Sequence, residues 1–174
     1  MAVKGRRVTL ALAGVTLLVL LLSVPGSLRD AFERGGIYLF SRAFLEDIPK
    51  RLTGPGRFRF VMQPAVAILL GIRGGLADAR AGRPPYLFAL LFHDQERRAL
   101  LRSGFQAVAN LVLMGVLLDA VFQWVILGVS HPGAALVVGP VLIAAPYALA
   151  RGLANRAAGL RARPGDPPRR GEHG

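Results

Sequence analysis

The sequence predicts an all-α, membrane-embedded bundle of about four transmembrane helices, and three observations carry that prediction. Hydrophobic residues make up 53% of the 174 positions, too many for an ordinary soluble domain. Two long apolar runs, residues 104–130 and 133–150, are separated only by His131-Pro132. Each is long enough to cross a hydrocarbon core of about 30 Å as a helix, since a helix rises about 1.5 Å per residue. Finally, the basic residues behind the net charge of +12 flank the apolar runs. That arrangement favours anionic lipid headgroups as partner over nucleic acid, for which no zinc finger or aromatic-basic strand pattern is present. There is no cysteine, which excludes disulfides and thiolate metal sites.

The chain begins Met1-Ala2-Val3-Lys4-Gly5-Arg6-Arg7, followed by an apolar or hydroxylic run from Val8 to Val24 that Pro25-Gly26 should stop. A charged start before an apolar run also opens a secretory signal, but Pro25 is a poor cleavage context and further spans follow. Residues 8–24 therefore read as an uncleaved first span with a cytoplasmic start. Between Ser27 and Leu52, Leu28, Phe32, Leu39, Phe40, Phe44, Ile48 and Leu52 fall at helical spacing opposite a charged face, with Gly35-Gly36 as a break between two short helices. That segment either lies in the interface or packs on the bundle.

Gly54-Pro55-Gly56 ends the amphipathic region, and without a following Lys and Ser or Thr it is no phosphate loop. The segment 60–77 is long enough to span only if it carries Gln63 and Arg73; Pro64 fits its first turn, and Gly71 and Gly75 have the spacing of close helix contacts in lipid. Residues 78–103 are a polar, basic connection with a Pro84-Pro85 turn. After the hairpin of 104–130 and 133–150, residues 151–174 hold six arginines among Pro and Gly and read as a disordered basic cytoplasmic tail. With both ends inside, the number of spans is even, which makes 60–77 the second of four. Three spans plus an interfacial helix is the alternative, because four spans place seven basic residues between Ser27 and Arg59 outside.

Asp119 stands inside the third span. A centrally placed aspartate costs roughly 2.5 to 3.5 kcal/mol on insertion scales, so it must find a partner. Gln123 shares its face, Gly115 leaves room beside it, and Arg73 lies at a matching depth if the second and third spans share a surface level. An Arg73 to Asp119 ion pair, with Gln123, is the expected intramembrane polar site. It reads either as polar glue between helices or as the relay of a small proton- or cation-coupled transporter, for which Pro140 and Pro146 could break the last helix. No catalytic, cofactor or metal signature is present: His93, His131 and His173 are scattered, and no Ser sits in a Gly-x-Ser-x-Gly context.

The phrases Phe44-Leu-Glu-Asp-Ile-Pro-Lys-Arg-Leu52, Gly54-Pro-Gly-Arg-Phe-Arg59 and Gly82-Arg-Pro-Pro-Tyr86, followed by the Asp119 helix, resemble a group of small multi-pass bacterial inner-membrane proteins to which no activity is assigned. The resemblance covers most of residues 8–155. It implies an inner-membrane location and transfers no functional residue. The expected role is a noncatalytic accessory or scaffold, acting through lipids, a partner membrane protein or a second copy.

Overall fold

The computed structural model describes residues 2–54, 56–92 and 94–161. All regular structure among them is helical: α1 (Ala2–Arg34), α2 (Arg42–Glu46), α3 (Ile48–Thr53), α4 (Arg59–Arg80), α5 (Tyr86–Phe92), α6 (Asp94–Leu127) and α7 (Pro132–Arg161). Four segments, Arg6–Arg34, Arg59–Arg80, Arg97–Leu127 and Pro132–Leu160, are long and apolar enough to cross a membrane. The segment expected at 60–77 is therefore one of the four.

Three boundaries differ from the expectation. α6 begins at Asp94, ten residues before the apolar run at 104, so with α5 much of the connection expected at 78–103 is helical. α1 runs through Pro25-Gly26 to Arg34 and ends where Gly35 turns left-handed at φ 70°. There the Gly36 N–H reaches back to the Ala31 carbonyl at 3.0 Å, as in a Schellman cap. A proline removes one backbone hydrogen bond, whereas stopping the helix in lipid would strand several groups. α7 likewise continues through Pro140 and Pro146 without a break, and past Ala150 to Arg161. The tail expected from residue 151 thus begins as helix, and its remainder, with His93 and His173, lies outside the described residues.

α4 and α7 run parallel and in close contact. The buried face of α4 is Arg59, Gln63, Ala67, Gly71, Gly75 and Asp78, a stripe at helical spacing that is small in its middle and polar at both ends. A Cβ on Gly71 would lie 2.5 Å from the Tyr147 carbonyl oxygen, and one on Gly75 would collide with the Arg151 carbonyl and lie 2.9 Å from the Ala154 Cβ. The glycine spacing is used for the close approach it permits. Gly75→Leu should accordingly destabilise the bundle by about 1–3 kcal/mol or more, since backbone cannot yield as a side chain can. Thermal unfolding in detergent will show it, with Gly14→Ala, whose added Cβ meets nothing within 4 Å, as the neutral control.

α6 runs antiparallel to α7. Gly139 sits so close to α6 that its Cβ would lie 2.8 Å from the Val116 backbone nitrogen, and the space at Gly115 is taken by Ile143. α1 lies along α6 and carries a seven-residue polar repeat, Thr9, Thr16, Ser23 and Asp30, of which Ser23 donates to the Val19 carbonyl of its own helix. Thr9 bonds Asn110, Thr16 reaches the Leu113 carbonyl, and Asp30 meets His131. Val19 and Leu20 pack between them against Val116, Ala120 and Ala135. Leu10, Leu17, Leu21 and Leu28 of α1 are exposed.

The connection after α1 divides its aromatics. Tyr38 and Phe44 are buried against Ala134 of α7, while Phe40 is exposed, as are the neighbouring Ile37 and, in the last turn of α1, Phe32. Packing on the bundle and an apolar outer face are both realised, by different residues.

Candidate functional site

Two buried polar clusters close the bundle, one at each end. The first lies where α6 approaches the hairpin. Asp119 is fully buried, and Arg51 and Arg59 beside it are 4% and 6% exposed. Arg51, at the end of α3, donates from Nη1 to both Asp119 carboxylate oxygens at 3.2 Å. Arg59, at the start of α4, donates from Nη2 to Asp119 Oδ1. Gln123 Nε2 donates to Oδ2 at 2.7 Å, one helical turn along α6. Its carbonyl oxygen accepts the His131 backbone N–H at 2.9 Å, so the same amide ties Asp119 to the hairpin turn.

A second tier covers this centre. Arg51 Nη2 donates to the Tyr38 hydroxyl at 3.2 Å, which in turn donates to Asp47 Oδ2 at 2.9 Å. The Tyr38 ring stacks on His131 with centroids 3.7 Å apart, and His131 Nε2 lies 3.0 Å from Asp30 Oδ2 on α1. Burial pushes the Tyr38 hydroxyl up to about 12 despite the nearby Arg51, which keeps it a donor. Burial would raise Asp47, but hydrogen bonds from Lys50 and Tyr38 outweigh that and hold its carboxyl below the ordinary value.

The other cluster lies at the far end of α4 and α7. Arg151 donates from Nε to Asp78 Oδ2 at 2.6 Å and from Nη2 to Oδ1 at 3.1 Å, a two-point pairing. Its Nη1 donates to the Tyr147 hydroxyl at 2.9 Å, and its guanidinium lies 4.3 Å from the Tyr86 ring centroid. Ser103 of α6 accepts longer contacts at 3.4 Å. One arginine thereby joins α4, α5, α6 and α7.

Arg73 is not brought to Asp119. Arg59 bonds that carboxylate, so Arg73, fourteen residues further along α4, sits about 21 Å away along the helix axis. The assumption of a common surface level fails because α6 runs on past Asp119 to Leu127, alongside α2 and α3, while α4 starts level with Asp119. Arg73 is exposed. Arg51, Arg59, Tyr38, Asp78 and Arg151 were missed because each stands at or beyond the edge of an apolar run, where charge reads as solvated. Only the continuation of the small-residue stripe on α4 into Arg59 and Asp78 signals burial.

The clusters stand about 24 Å apart, from the sixteen residues of α7 between Ala135, which packs level with Asp119, and Arg151. Between them the core is apolar, built on Ala67, Val108, Ile143, Val116 and Ala120, with Gln63 near its edge. That separation is comparable to the thickness of a hydrocarbon core, about 30 Å. Among the described residues no three His, Asp or Glu side chains converge as a metal site requires. Compared with family models, curated proteins and solved structures, the chain matches none.

Proposed function

We propose that the chain is a noncatalytic accessory or scaffold protein of the bacterial inner membrane, acting through lipids or a partner membrane protein, with its C-terminus in the cytoplasm. The observation that carries the reading is the pairing of both charged clusters within the protein while apolar surface is presented outward along α1. Buried ion pairs of this kind set helix register. A relay would instead need exchangeable groups continuing across the core, and the packing between the clusters is apolar. The basic residues near the α1 start and the α7 end support a cytoplasmic placement for both. The resemblance to small bacterial inner-membrane proteins supports the same location.

Photo-crosslinking groups at Leu10, Leu17 and Leu21 in native membranes should give a discrete adduct with lipid, a second membrane protein or another copy. The purified chain in liposomes should carry no proton or cation flux. Flux abolished by Asp119→Asn would overturn the reading in favour of a small transporter.

A further inference from the structure

The exterior of α7 carries two apolar grooves that share one ridge. The larger, about 830 Å³, runs between α4 and α7 and is lined by Ile68, Ile72 and Leu76 on one side and by Leu149, Leu153 and several alanines on the other. The smaller, about 210 Å³, runs between α5 and α7, and Leu149 and Leu153 form its wall too, opposite Leu87 and Phe88. Both follow the helices, and the larger extends along α4 for about 12 Å, comparable to one leaflet of the hydrocarbon core.

At one mouth the grooves become cationic. Arg156 lines the smaller groove, one turn beyond Leu153. On α4 the line Ile68, Ile72, Leu76 continues at the same four-residue step to Arg80. The register of the parallel pair is set by Gly71 against Tyr147 and Gly75 against Arg151 and Ala154, which brings Arg80 level with Arg156. Both arginines are exposed.

We propose that these grooves seat the two acyl chains of one anionic phospholipid astride the Leu149–Leu153 ridge, with its phosphate held by Arg80 and Arg156. Two adjoining apolar grooves, the larger about 12 Å long, match two chains lying side by side, and two cations at a common level match one headgroup phosphate. A second copy of this chain would bring its own α4 and α7 arginines to the same mouth, where like charges repel. Basic pockets between membrane helices on the cytoplasmic side are where anionic headgroups bind. The proposal rests on the lipid arm of the function proposed above and gives it an address.

The full chain in mild detergent would be given phosphatidylglycerol or phosphatidylcholine with identical chains, and retained lipid read by native mass spectrometry. Phosphatidylglycerol should be retained preferentially. Arg80→Gln with Arg156→Gln should lower that preference by roughly fivefold for each arginine removed. Ala157→Phe, which fills the larger groove from an exposed position, should reduce retention of both lipids, and glycerol phosphate without chains should not compete. Equal retention of the two lipids, or a preference unchanged in the double variant, would overturn the site. So would a dimer that Ala157→Phe dissociates, since the groove would then be a contact between copies. If the site fails while the α1 crosslink to a partner persists, the accessory reading stands without it.

Discussion

Asp119→Leu should destabilise the folded bundle by about 3–5 kcal/mol, because it leaves the Arg51 and Arg59 guanidiniums buried with no carboxylate between them. Asp119→Asn should cost nearly as much, since the amide keeps the shape and removes the charge. Arg51→Met should be milder: Arg59 and Asp119 remain a one-to-one pair, and the Tyr38 hydroxyl still donates to Asp47. Arg73→Leu should be close to neutral, because that side chain is exposed and about 21 Å along α4 from the level of Asp119. Helicity followed through a denaturing-detergent titration will rank the four. If Asp119→Leu behaves like Arg73→Leu, the cluster is not what holds α3, α4 and α6 together.

That ranking also bears on how the polar site could be read from sequence. The apolar runs place the spans, because twenty apolar residues in lipid have few alternatives to a helix. The Gly71 and Gly75 spacing marks a close helix contact, and Gln123 follows from its position one turn beyond Asp119. Finding the partner of Asp119 is a different kind of inference, because it needs the relative heights of helices. Those heights depend on α2 and α3 folding back over the hairpin end, where Arg51 and Tyr38 descend into the bundle. Hydropathy carries no information about that return. Arg151 is hidden within the basic tail for a related reason: one buried guanidinium does not stand out in the composition of a segment with six arginines. Only its position, four residues after Tyr147 and on the face that Gly71 and Gly75 meet, sets it apart.

Arg151→Leu should therefore be the second large loss, again about 3–5 kcal/mol, with Asp78 left buried. Arg83 cannot replace it, since its contact with Asp78 is 3.5 Å long and its side chain is 56% exposed. Arg151→Lys should recover only part of the loss. A single ammonium cannot hold both Asp78 oxygens, reach the Tyr147 hydroxyl and lie against the Tyr86 ring at once, which the planar guanidinium does. The decisive variant is Asp78→Leu combined with Arg151→Leu. Without a stranded charge it should be more stable than Arg151→Leu alone, so the two single losses will not add. Strict additivity would mean that Asp78 and Arg151 act independently, and that the far end of the bundle is held by the Gly71 and Gly75 contacts alone. With coupling, the end of α7 beyond Ala150 is a structural part of the membrane domain, and a chain cut at that residue should not fold.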